Sequence, residues 1–165
     1  MKGKARSTLK PNKKKMHTRA QCLSLAQKLS KLKWKLEHGR IWCISCGAPL
    51  ELGEARCQGG HYISSSDRAT ETEPDNINPQ CSSCNCLKYG NIPAYRYQLV
   101  RIIGEERVNR LDYMSMARKG SEEALEKLSP EDRVKALMKK SARYYDNLWY
   151  ELNEQIKEAE RELGL

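Results

Sequence analysis

Cys43-Ile44-Ser45-Cys46 and Cys81-Ser82-Ser83-Cys84 decide how the middle of this chain is read. A C-x-x-C turn puts two sulfurs on one side of a tight knuckle, and two such knuckles complete a tetrahedral shell around a zinc ion. Four thiolates leave no position for a substrate, so such a metal is structural and any catalysis comes from elsewhere on the frame. The alternative, four buried free thiols, is disfavoured by the pairing of the knuckles. Between the pairs lie Gly59-Gly60-His61-Tyr62 and Asn76-Ile77-Asn78-Pro79-Gln80-Cys81. The segment 47–80 is too long for a minimal zinc ribbon, and the extra length predicts a short hairpin around 55–63 that carries His61, followed by a polar loop over 64–74. Cys57 and Cys86 lie nearby as alternative ligands, but neither has a C-x-x-C partner of its own.

Composition sets the bounds. The chain has 165 residues, 39% hydrophobic and 31% charged, with no phenylalanine. A core this thin is marginal without a staple, and zinc binding contributes folding free energy directly. No apolar run is long enough to span a bilayer. Seven cysteines without an export signal point to reduced thiols and a cytoplasmic protein. The net charge is +9, yet residues 1–40 hold thirteen Lys/Arg against Glu37 alone. Such one-ended positive charge suits a nucleic-acid backbone through counterion release, with a merely solvated leader as the bland alternative.

The rest of the chain reads as helix. Residues 1–17 are expected to form a flexible basic arm. Over 18–40, Cys22, Leu25, Leu29, Leu32 and Leu36 recur at spacings of three and four, and Gly39 is a stop. This basic amphipathic helix is expected to lay its leucines on the zinc module and turn Lys28, Lys31, Lys33 and Lys35 to DNA. Residues 41–91 are the zinc module, with a helix opening near Asn85 after the second knuckle. Asn91 is an N-cap ahead of Pro93 in a helical segment over 92–128, interrupted at Gly104. From Ser129-Pro130 a long C-terminal helix is predicted over 129–165, and its length demands a partner surface in its own domain or on a second subunit. Tyr144, Tyr145, Trp149 and Tyr150 are packing residues of that helix; His17 and His38 face solvent. The fold class is α+β, predominantly α.

Knuckle, hairpin with histidine, asparagine, then knuckle and helix is the order of the ββα-metal layout of HNH nucleases, a treble-clef-like module. Gly60-His61-Tyr62, Asn76-Ile77-Asn78-Pro79-Gln80-Cys81, Cys84-Asn85 and Gly90-Asn91, with Tyr95-Arg96 and Leu99 downstream, resemble the phage NinG (Rap) recombination proteins. The likeness covers about residues 40–115. It implies a structure-specific endonuclease acting on Holliday junctions and other branched DNA. It also implies His61 as general base, Asn76 as the residue orienting it, and Asn85 as ligand of a catalytic Mg²⁺ or Mn²⁺. The chemistry fits those types: a neutral imidazole takes a proton near pH 7, and a hard cation prefers amide and carboxylate oxygen while zinc takes thiolate.

One departure stands out. Where many HNH sites carry an acidic ligand before the histidine, this chain has Gly60. Asp67, Glu71 and Asp75 are the candidates to replace it. Lys10, Lys13, Lys14, Lys15 and Arg19 are expected on the phosphate backbone, with Arg68 at the scissile phosphate. Cutting opposed strands implies a homodimer through the C-terminal helix, acting beside other recombination proteins. Two further readings stay open: a non-catalytic zinc module that binds DNA, and an HNH nickase in genome packaging.

Overall fold

A computed structural model describes residues 16–165; Lys10, Lys13, Lys14 and Lys15 lie outside them. Helix α1 (Arg19–His38) starts at a capping box, in which the Thr18 hydroxyl accepts from Gln21 N and the Gln21 side chain accepts from Thr18 N. It stops at Gly39, whose φ of 71° is left-handed and whose N–H donates to the Lys35 carbonyl.

α1 buries two faces rather than one. Cys22, Ala26, Leu29 and Leu32 pack with the last helix, α6 (Ala142–Leu163), while Trp34 enters the core of the zinc module. The lysines do not simply face outward. Lys31 Nζ donates to the Cys57 carbonyl at 3.2 Å, Lys33 Nζ to Gln155 Oε1 at 2.9 Å, and Lys28 pairs with Glu160 at 2.7 Å. The helix thus spends its charge on neighbouring elements that its leucine spacing does not specify.

Two small antiparallel pairs follow. β1 (Ile41–Trp42) meets β2 (Pro49–Leu50) across the first knuckle. There Gly47 takes φ 74° directly after Cys46 and returns its N–H to the Cys43 carbonyl at 2.8 Å. β3 (Cys57–His61) pairs with β4 (Ile77–Cys81), with Cys57 opposite Cys81 and His61 opposite Ile77. The hairpin expected within 55–63 is therefore one strand only, and its partner is the asparagine-rich run itself. The segment 64–74 is not a solvated loop: Ala69, Thr70 and Glu71 are buried in it.

Cross-strand partners share a face. On one face of β3–β4, a Cβ at Gly59 would lie 2.6 Å from Gln27 Cβ and 2.9 Å from Gln27 Cα, so α1 packs on this hairpin only because residue 59 has no side chain. The other face carries Gly60 beside Gln80.

After Cys81 a single π turn (Ser83–Leu87) takes the place of the helix expected near Asn85. α2 (Ile92–Ile103) then starts with Asn91 at its N-cap position, but φ 46° turns that side chain away from capping, and its Nδ2 donates to Cys84 Sγ at 3.6 Å. α3 (Glu105–Arg118), α4 (Glu122–Glu126) and α5 (Pro130–Leu137) close a small third core.

The helix predicted over 129–165 is two helices. At Met138 the backbone turns extended (ψ 141°), and Ser141 caps α6 by accepting from Tyr144 N. α6 lays Tyr145, Leu152, Ile156 and Ala159 on α1, so its partner surface lies within the chain. His17 does not face solvent: it stacks on Trp149 at 3.7 Å and donates its backbone N–H to Asp146 at 2.9 Å. His38 likewise sits edge-on against Trp34. Among the described residues no helix is long and apolar enough to cross a membrane.

Candidate metal centre and histidine site

The ligating sulfurs of Cys43, Cys46, Cys81 and Cys84 all lie within 4.8 Å of one another. Sulfurs bound at about 2.3 Å to one tetrahedral ion sit about 3.8 Å apart. Cys46 Sγ and Cys81 Sγ are 3.8 Å apart. Cys84 N–H points at Cys81 Sγ (3.4 Å), and the Asn91 amide at Cys84 Sγ, as thiolate acceptors require. Burial, outweighing the backbone N–H groups that favour the thiolate, pushes the Cys43 thiol up to about 12, so a cation is what would hold it ionised. The donor set fits a structural zinc. Cys57 is buried in the adjoining core and Cys86 is exposed, donating to Gln58 Oε1; neither joins the cluster. Cys22 is a core residue of α1 whose thiol donates to the Tyr145 carbonyl.

His61 ends β3 on the face that α1 covers. Its Nε2 lies 3.0 Å from the Glu71 carbonyl oxygen. A carbonyl only accepts, so Nε2 carries the hydrogen and Nδ1 keeps the lone pair. Burial lowers the histidine pKa, and the nearby Arg19 charge acts in the same direction, against the Glu71 carbonyl and carboxylate. The ring is therefore neutral at neutral pH.

Asn76 is fully buried just beyond it. Its Oδ1 accepts from Ile63 N at 2.7 Å, and its Nδ2 donates to the Ile63 and Thr70 carbonyls at 2.9 and 3.0 Å. Those bonds clamp the segment that leaves His61 to the segment that supplies the Glu71 carbonyl.

Glu71 is the node of the site. Its carboxylate, with no exposed surface, accepts from Arg19 Nε at 2.6 Å, Tyr145 OH at 2.8 Å and Lys140 Nζ at 3.2 Å. Arg68 stands 3.9 Å away and donates to the Tyr145 hydroxyl. Burial raises the Glu71 pKa, but those partners together hold it below the usual range. Arg19 and Arg68, expected on DNA, each turn one edge to Glu71 while their side chains stay 32% and 44% exposed. Lys140 and Tyr145 had no signal in the sequence as site residues, because they reach Glu71 from about seventy positions away.

Asn85 is not beside His61 in any contact of the structure. Its Nδ2 donates to Gln58 Oε1 at 2.8 Å. Gln58 and His61 are three apart on β3 and so point to opposite faces. The place of the missing acidic ligand is also filled, since a Cβ at Gly60 would stand 2.8 Å from Gln80 Cβ. None of the candidate carboxylates comes there: Asp67 accepts from Ser115, Asp75 pairs with Arg107, and Glu71 is enclosed by cations. Among the described residues no hard-cation site is assembled beside His61.

The profile of the family described as Bacteriophage Lambda NinG protein matches residues 1–143. The chain is 38% identical over 76 residues to Protein ninG of Escherichia phage 933W, covering 42% of this chain and 34% of that protein. Protein ninG of Escherichia phage lambda is 38% identical over 76 residues (42% of this chain, 33% of that protein). Protein ninG of Salmonella phage P22 is 37% identical over 76 residues, with 42% and 34% covered. The match thus spans about a third of the length of these relatives. No solved structure matches the chain.

Proposed function

The chain belongs to the NinG family, and from that premise we propose that it is an HNH-like endonuclease cleaving branched DNA, such as Holliday junctions, in phage recombination. The observation that carries this reading is the histidine held by its Nε2 hydrogen on the Glu71 carbonyl, on a frame stapled by four cysteines. Nδ1 of His61 takes a proton from water, and the hydroxide oxygen forms a bond to phosphorus. The phosphorus–oxygen bond to the leaving sugar breaks, and that alkoxide takes a proton from solvent. Arg19, whose charge reaches the imidazole, and Arg68, which shares Glu71 with it, are partly exposed and offer the positive charge that a phosphate needs. A Mg²⁺ or Mn²⁺ ion would have Asn85 as its protein donor, which the present geometry does not support. The chemistry proposed therefore rests on His61 and its neighbouring cations.

The zinc centre works as a frame: it holds β4, the π turn and β1–β2 in one relation. The basic N-terminal arm, residues 1–17, supplies sequence-independent affinity, since phosphate contacts position a protein without reading bases. Two opposed cuts call for two centres. With the inner face of α6 packed on α1, its outer face is the part open to a second copy.

The test is purified protein incubated with a four-way junction and with a matched linear duplex, with Mg²⁺ or Mn²⁺ and with chelator. Cleavage of the junction well ahead of the duplex is expected. Equal cleavage of both would favour a packaging nickase. Tight junction binding with no cleavage in any ion would leave a non-catalytic zinc module, a reading favoured by the Gln80 side chain occupying the place of an acidic ligand.

A further inference from the structure

The turn between the last zinc cysteine and α2 places large side chains where the fold makes no use of them. Tyr89 is 90% exposed and Leu87 is 77% exposed, with Lys88 exposed between them. The backbone there is also unusual: Tyr89, Gly90 and Asn91 follow one another at φ 49°, 87° and 46°. Side chains beyond glycine and asparagine rarely take that conformation, and an exposed tyrosine recovers nothing by burial.

The turn is nonetheless held rigidly. Lys88 N donates to Ser83 O at 3.0 Å, Gly90 N to Cys84 O at 2.9 Å, and Asn91 N to Lys88 O at 2.8 Å. Gln80 of β4 donates its side-chain N–H to the Gly90 carbonyl, and Asn91 reaches the sulfur of Cys84. Cys84 of the cysteine cluster and β4 therefore fix the backbone from which the exposed Tyr89 ring projects.

Its chemistry selects the partner. Residues 76–104 carry Lys88, Arg96 and Arg101 and no carboxylate; Arg96 is paired with Asp112 of α3, so the charge the turn itself offers is that of exposed Lys88, which favours an anion. Two apolar side chains offer far less area than the roughly 1,000 Å² of a stable protein interface. One ring beside one cation suits a single base and its phosphate. In a continuous duplex every base face is already stacked, whereas a branch point leaves faces open.

We propose that Leu87-Lys88-Tyr89 is a rigid stacking finger, seating the Tyr89 ring on an unstacked base at a DNA branch with Lys88 on the adjoining phosphate. This rests on the branched-DNA reading above and adds the residue that would sense the branch.

The experiment measures binding and not cleavage, by fluorescence anisotropy at fixed salt with no Mg²⁺ or Mn²⁺ added. Wild type, Tyr89→Ala, Tyr89→Phe and Tyr89→Gly are titrated with a four-way junction and with the matched duplex. Tyr89→Ala is expected to lose on the order of 5- to 150-fold in junction affinity. Its duplex affinity should change less than about twofold, and Tyr89→Phe should retain junction binding. Tyr89→Gly, which relieves the left-handed strain, should lose the junction as alanine does without a lower Tm or less bound zinc. An equal loss on both DNAs, no loss, or a Tyr89→Gly variant that unfolds early overturns the finger and leaves the nuclease reading intact. A wild type that does not prefer the junction removes both.

Discussion

The Nε2 atom of His61 lies 3.0 Å from the backbone carbonyl oxygen of Glu71. That bond joins the end of β3 to the middle of the connection between β3 and β4, and it sets which ring nitrogen is basic.

His61→Ala is expected to bind branched DNA as wild type does and to lose cleavage by about 10²-fold or more. The pH profile of cleavage should rise at a pH below the ordinary histidine value of about 6.5, because burial lowers the His61 pKa. For stability the sign is the same. A folded pKa below the unfolded one means the unfolded chain binds more protons, so this contribution is complete above about pH 6.5 and lost as pH falls toward the folded value. A cleavage profile rising only above pH 7 would count against the assignment.

Glu71→Gln tests the node. It leaves Lys140, whose side chain is 6% exposed, and the guanidinium of Arg19 without their counter-charge. Removing one partner from a buried pair costs about 3–5 kcal/mol, and denaturant unfolding should show a loss in that range. In the wild type the lowered Glu71 pKa adds stability above the unfolded carboxylate value, lost as pH falls through the folded one. A Glu71→Gln variant as stable as wild type would remove the node from the account.

Zinc content tests the cysteine cluster. One zinc per chain is expected, with Cys46→Ser and Cys84→Ser depleted and Cys86→Ser unchanged. Structural zinc contributes about 10–16 kcal/mol in isolated fingers, and a loss of even about 3 kcal/mol lowers Tm by roughly 6–12 °C in a chain this size. Full zinc in Cys84→Ser would refute the four-thiolate set.

The two glycines of β3 should respond differently. Gly59→Ala drives a methyl into the Gln27 backbone of α1 and should cost about 1–3 kcal/mol in urea unfolding. At Gly60 the obstacle is the Gln80 side chain, so Gly60→Asp should be destabilising alone and largely relieved by Gln80→Ala. If both glycine variants cost the same in either background, the packing argument fails.

Truncation of residues 1–15 removes seven Lys/Arg while sparing His17, which anchors α6 through Trp149 and Asp146. The log–log salt slope of DNA binding should flatten by about 0.9 for each phosphate that the shortened protein no longer neutralises. An unchanged slope would assign the affinity to other cations.

Much of the local structure is legible in the sequence. Thr18 and Gly39 bound α1, Ser129 opens a helix where expected though a shorter one, and Gly104 separates α2 from α3, because each signal acts within a few residues of its effect. β4 reads as a motif and not as a strand, since Pro79 has no N–H to donate. The strand tolerates it in a two-stranded pair, where the Pro79 carbonyl still accepts from Ile44 N at 2.9 Å. The break at Met138 is hidden because apolar periodicity continues across it; only Ser141, the cap of α6, marks the restart.

The spacing of Cys43, Cys46, Cys81 and Cys84 by itself determined that one thiolate centre could form, and the signals at Thr18 and Gly39 determined the span of α1, since both are short-range geometry. Tertiary structure alone decided that β4 pairs with β3, that α6 folds back on α1, and that Arg19, Lys140 and Tyr145 converge on Glu71 behind His61. Those pairings join residues 16 to more than 120 positions apart, and packing that distant is selected by burial and charge pairing, which no local pattern of side chains encodes.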